Sequence, residues 1–169
     1  MTATALSFEA VGRNDLRRLA RLARTDRDEF FERHPEWGER YRDRVLCVAL
    51  CDQAALHFIG GSAGIQDFQV WTFYLEHPDA PFPHQVTGLS DFGPSRFGRS
   101  PGVAETFKGR QVHLYSRSLP CQPGVEPVAV LQDFLRAGAT HSARTLREEA
   151  VVFLEPEEIL GFVAWPSLV

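Results

Sequence analysis

Seven consecutive apolar residues, Val45-Leu-Cys-Val-Ala-Leu-Cys51, constrain this chain more than any other feature. A strand with one wet face alternates apolar and polar residues, so an unbroken run fits a strand covered on both faces. Periodicity alone does not separate such a strand from a buried helix, and the run is shorter than the ~10–12 residues usual for one. It is also far short of the ~18–20 apolar residues of a membrane span, and no longer clean run exists, so no membrane segment is expected. The first eleven residues lack a charged start followed by a long apolar core. No secretory leader is therefore expected, and the location expected is cytoplasmic.

At 169 residues the chain is expected to form a single domain, 1–169. Its net charge of -4 argues against a partner coated along its length, as a nucleic acid would be. Between Arg13 and Arg44 there are 10 arginines and 8 carboxylates, so the stripe of Arg17, Arg21 and Arg24 reads as a solvated face. Lys108 is the one lysine, so any anion contact would come from guanidinium groups. Cys47, Cys51 and Cys121 are too few and wrongly spaced for a disulfide framework or a zinc site, and the first two read as small buried hydrophobes.

Helical spacing predicts a helix from about Leu16, capped by Asn14 or Asp15 and extended through Phe30 and Phe31. Pro35 opens a second helix to about Arg42. Ala54 to Ile59 reads as a short helix, and Gly60-Gly-Ser-Ala-Gly64 as a turn. Asp67–Leu75 (DFQVWTFYL) and Gln111–Leu119 (QVHLYSRSL) read as strands. Between them, Glu76–Arg110 is punctuated by five prolines and five glycines and reads as one long loop. A C-terminal helical pair is expected over 127–154, from Pro127 to Ala137 and from about Ser142 to Leu154. Gly161–Trp165 is expected to return as a short strand or an apolar tail. The fold class expected is α/β (α+β), a small mixed sheet flanked by N-terminal and C-terminal helices.

The chemistry-bearing pattern is a strand, a small-residue turn, a second strand opening Asp67-Phe-Gln69-Val-Trp, and a third carrying Val112-His113-Leu114. In this it resembles nucleotidyltransferases of the DNA polymerase β superfamily. That resemblance covers Val45 to Leu119. It implies two carboxylates on alternate positions of one strand and a third on its neighbour, together gripping two magnesium ions and a triphosphate. The catalytic positions fall on Asp67, Gln69 and His113, with Asp67 and His113 as the metal ligands. Asp52 and Gln53 fall at the phosphate turn, with Arg96, Arg99 and Arg110 as further phosphate contacts. The chain also resembles a group of uncharacterised bacterial proteins reading Asp-Phe-Asp-Val-Trp and Val-Asp-Leu at these strands. Gln69 and His113 each replace a carboxylate, and Gln53 stands where glycine or serine would admit a phosphate. The function implied is a nucleotidyltransferase-like protein with an eroded two-metal site. It would be inactive or weakly active, binding a nucleotide or acting through a protein partner, with magnesium the cofactor if chemistry survives.

Two other arrangements are open to this sequence. One is a protein-interaction or regulatory module, with His77 to Arg110 as its contact surface. The other is a metal-dependent enzyme using His77, His84 and His113 with Asp79 and Asp91, although none of these pairs has the tight helical spacing of strong metal motifs. In the loop, Phe92, Phe97 and Phe107 read as buried anchors among exposed arginines. Asp91-Phe92-Gly93 is not a kinase signal, because the accompanying kinase motifs are absent.

Overall fold

The computed structural model describes residues 6–83 and 87–167. Six strands form one mixed sheet: β1 (Val45–Cys51), β2 (Phe68–Leu75), β3 (Thr87–Asp91), β4 (Gln111–Leu119), β5 (Val151–Glu155) and β6 (Val163–Trp165). Their order across the sheet is β3-β4-β2-β1-β5-β6, with β2 and β4 parallel and every other neighbouring pair antiparallel. The helices are α1 (Arg13–Arg33), α2 (Pro35–Tyr41), α3 (Asp52–Gly60), α4 (Pro127–Ala137) and α5 (His141–Leu146). The architecture is mixed α/β, of the α+β kind.

The apolar run forms β1, near the middle of the sheet, and its two faces feed two cores. Val48 and Leu50 pack with Leu16, Leu19, Ala20 and Ala23 of α1 and with Ala54 and Ala55 of α3. Cys47, Ala49 and Cys51 pack on the other side with Leu131 and Leu135 of α4 and Leu146 of α5. Both faces are dry, so neither has use for a polar residue. Truncating Leu50, which is fully buried, removes contacts worth about 2–5 kcal/mol. Burial pushes the Cys47 and Cys51 thiols well up, which keeps them protonated and inert. A third cluster of Phe31, Tyr41, Tyr74 and Phe82 fixes the start of the long connection beneath α1 and α2.

Three segments depart from the sequence expectation. The helix expected to end at Leu154 ends at Leu146, and Val151–Glu155 is instead β5, paired with β1. Ala150-Val-Val-Phe-Leu154 is buried throughout, and a residue run covered on both sides carries no periodicity by which to tell strand from helix. The loop from Glu76 to Arg110 contains β3, whose Thr-Gly-Leu-Ser-Asp sequence has little strand character but pairs along β4 from Thr87↔Tyr115 to Asp91↔Gln111. Helix α1 starts at Arg13, before the expected Leu16. Neither Asn14 nor Asp15 is its N-cap; the Asp15 carboxylate sits inside the first turn and accepts the Gly12 N–H at 2.7 Å.

Candidate functional site

Helices α4 and α5 cover β1, β5 and β6 together with Phe73 and Leu119, toward the far ends of β2 and β4. The first halves of β2 and β4, and the outer strand β3, have no covering helix on that face among the described residues. Phe68, Val70, Val112 and Leu114 point into the α1-side core. Alternation along the strands therefore turns Gln69, Trp71, His113 and Tyr115 to the opposite face, where Trp71 is partly buried against the edge of the α4/α5-side core and His113 and Tyr115 lie beside it. Register sets Gln69 beside His113 and Trp71 beside Tyr115, while Leu89 and Thr87 of β3 lie on the other side of the same two β4 residues.

Asp67 immediately precedes β2, and its Oδ2 lies 3.2 Å from Nε2 of His113. The structure thus brings Asp67, Gln69 and His113 to one face and one sheet end. Gln69 Oε1 accepts the Trp71 indole N–H at 3.1 Å. The Trp71 ring stacks on Tyr115 at 5.1 Å and 21°, and on Phe73 at 5.8 Å and 16°. A shallow cavity of about 320 Å³ is lined by Thr87, Gly88, Leu89, His113 and Tyr115. Leu89 is 51% exposed there.

These donors do not fit two magnesium ions. One carboxylate, a neutral amide and an imidazole supply one negative charge where hard dications call for several carboxylate oxygens, and Asp67 Oδ2 already lies 3.2 Å from the His113 ring. Among the described residues no group of three or more His, Cys, Asp or Glu side chains is arranged to hold a metal. Asp52 and Glu149 lie at the same sheet end, since Cys51 pairs with both Gln69 and Val151. Burial, reinforced by the Asp52 and Glu148 charges, raises the Glu149 carboxyl, and its buried Oε2 has no hydrogen-bond partner.

The phosphate contacts expected from the sequence are largely committed to the fold. Asp52 adopts a left-handed φ of 66° at the junction of β1 and α3, and its N–H donates to the Ala150 carbonyl. Gln53 Nε2 donates to the Ala63 carbonyl at 3.1 Å, tying α3 to the glycine-rich turn. Arg96 pairs with Asp15 and covers Phe97, a member of the α1-side core, so it stands on the face opposite His113. Its bond to Asp15 raises its pKa. Arg99 donates to the Ala104 carbonyl within its own loop. Arg110 alone comes beside Asp67, but it is buried and donates to the carbonyls of Phe97 and Gln66. Burial lowers its pKa, an effect that the Asp67 charge opposes.

Of the histidines expected to share a metal, the two within the described residues, His77 and His113, are not brought together. His113 pairs with Gln69 at the start of β2, whereas His77 lies beyond Leu75 at its end, which is itself roughly 20 Å from Gln69 at about 3.3 Å per residue. The His77 ring Nδ1 instead accepts the Asp79 N–H at 3.1 Å, and the His77 backbone N–H donates to the Tyr41 hydroxyl. Asp91 accepts the N–H groups of Gly93, Lys108 and Gly109. His84 lies outside the described residues. Phe92 and Phe97 are buried anchors of the loop as expected, while Phe107 is only partly covered.

Trp71, Tyr115, Thr87 and Leu89 were not singled out from the sequence. The signal for the first two was present: the alternation that joins Asp67 to Gln69 continues to Trp71, and that of His113 continues to Tyr115. No helix of the described residues is long and apolar enough to cross a membrane. No family model, curated protein or solved structure matches the chain.

Proposed function

We propose that this chain is a nucleotidyltransferase-like module that has lost two-metal catalysis and kept a nucleotide-type binding face. The observation that carries this is the Asp67–His113 contact across adjacent parallel strands. On this reading it stands in place of the superfamily's metal-binding carboxylates, with Oδ2 of the one remaining carboxylate turned to an imidazole. The stacked Trp71 and Tyr115 rings and the cavity beside them offer a surface for a flat ring rather than a grip for cations.

A thermal-shift panel tests this. A ligand bound at about 100 times its Kd stabilises the native state by about 2.7 kcal/mol, or roughly 5–10 °C for a chain of this size. Stabilisation by nucleosides or nucleotides, undiminished by removing divalent cations, is the expected result. Stabilisation by zinc or manganese alone would overturn it. A chain that responds to no small ligand would instead be an interaction module, a second reading favoured by the half-exposed Leu89 on the edge strand β3.

A further inference from the structure

We infer that the open face recognises the base of an uncharged nucleoside and not the phosphates of a nucleoside triphosphate. This rests on the nucleotide-type reading of the site and narrows its ligand.

The electrostatics of the sheet end decide against phosphate. Asp67 lies on the face itself, and Asp52 and Glu149 stand at the same sheet end, beside β1 and β5. The N-terminus of α3, where the resemblance would seat a phosphate, carries the Asp52 carboxylate in its own first turn. A helix N-terminus carries the equivalent of about half a positive charge, and here a side-chain carboxylate already offsets it. The arginines nearby are engaged elsewhere. Arg110 is buried against two backbone carbonyls, and Arg117 donates to Thr140 Oγ1 while its guanidinium covers the Phe134 ring. Arg96 bonds Asp15 on the opposite face. A polyphosphate would meet carboxylates first, and recruiting an arginine would break native hydrogen bonds.

The same surface suits a planar nitrogen heterocycle. Trp71 stacks on one side of Tyr115, and β3 lies on the other, where the cavity opens between Tyr115, Leu89 and His113. Leu89 supplies exposed apolar area, and Asp67, whose Oδ2 faces His113, offers its other carboxylate oxygen to an N–H group on a base edge. Gln69 has its carbonyl oxygen fixed by Trp71, which leaves its amide N–H groups as donors beside that carboxylate.

Isothermal titration of the full chain with guanosine, adenosine and their triphosphates, each with and without magnesium, tests this. Nucleosides should bind at least tenfold more tightly than triphosphates, with no gain from magnesium. Leu89→Asp and Tyr115→Ala should each weaken nucleoside binding at least tenfold, and Tyr115→Phe should keep it. Leu89 is exposed, so Leu89→Asp should leave the melting temperature unchanged. Triphosphates that bind as tightly as nucleosides would overturn the inference while leaving the nucleotide reading standing. Binding of neither ligand would overturn both. Nucleoside binding indifferent to Leu89→Asp and Tyr115→Ala would overturn the location.

Discussion

A methyl group on Gly109 would stand 1.9 Å from the carbonyl oxygen of Gly93. The two glycines mark where the ends of the 93–109 excursion pass one another before β4 begins. Because the obstacle is backbone, no side-chain rotation relieves it. Gly109→Ala should therefore cost at least about 2 kcal/mol, in the range of overpacked cores. Gly60→Ala, at the end of α3 with nothing nearer than 4.0 Å, should be neutral or slightly stabilising. Urea unfolding of the two variants separates them.

Asp91 closes the same excursion by accepting three backbone N–H groups, from Gly93, Lys108 and Gly109. Burial alone would raise its carboxyl, but those bonds and the Arg18 charge hold it below the usual carboxylate value. A depressed folded pKa contributes stability above the unfolded pKa of about 3.9 and loses it as pH falls through the folded value. Asp91→Ala should cost about 2 kcal/mol at neutral pH, and the difference from the parent chain should shrink in that acidic window. Melting temperatures measured between pH 7 and pH 3 check the sign.

Glu149 should behave oppositely. Its carboxyl is raised by burial and by the neighbouring Asp52 and Glu148 charges, so its ionisation opposes folding. The stability that goes with its protonated form is complete below the unfolded pKa and is lost as pH rises through the higher folded one. Glu149→Gln should raise the melting temperature at pH 7 by roughly 1–3 °C, and the gain should fade toward pH 4.

Arg96 separates a structural arginine from a ligand contact. Its guanidinium links the long loop to the first turn of α1 through Asp15 and rests on Phe97. Arg96→Ala should lower stability by about 1 kcal/mol, as loss of a half-exposed pair and its ring contact does, and leave ligand affinity unchanged within twofold. A large loss of affinity with intact stability would return Arg96 to the site.

What the sequence made legible follows the strength of its patterns. The β1 run, the aromatic second strand and the proline and glycine boundaries of α4 each have a local physical cause and stand where expected. Strand β5 was hidden because burial on both faces erases the alternation that marks strands, and the helical spacing of Ala143 and Leu146 ran into it. Strand β3 was hidden because its pairing with β4 is a tertiary fact that Thr-Gly-Leu-Ser-Asp does not advertise. The placement of Asp67, Gln69 and His113 on one face needed only the pleat and a parallel register. The fates of Arg96, Arg99 and Arg110 could not be read in advance, because their acceptors are mostly backbone carbonyls positioned by the fold.

In the proposed function, His113 and Gln69 stand where carboxylates would be needed to bind magnesium with a nucleotide. The most direct test is titration calorimetry of Gln69→Asp/His113→Asp beside the parent chain, with a nucleoside triphosphate in the presence and absence of magnesium. The parent should show no magnesium-dependent affinity, and the double variant should gain at least tenfold with magnesium. Magnesium-dependent binding by the parent, or no gain in a folded double variant, would show that these two positions are not an eroded metal site.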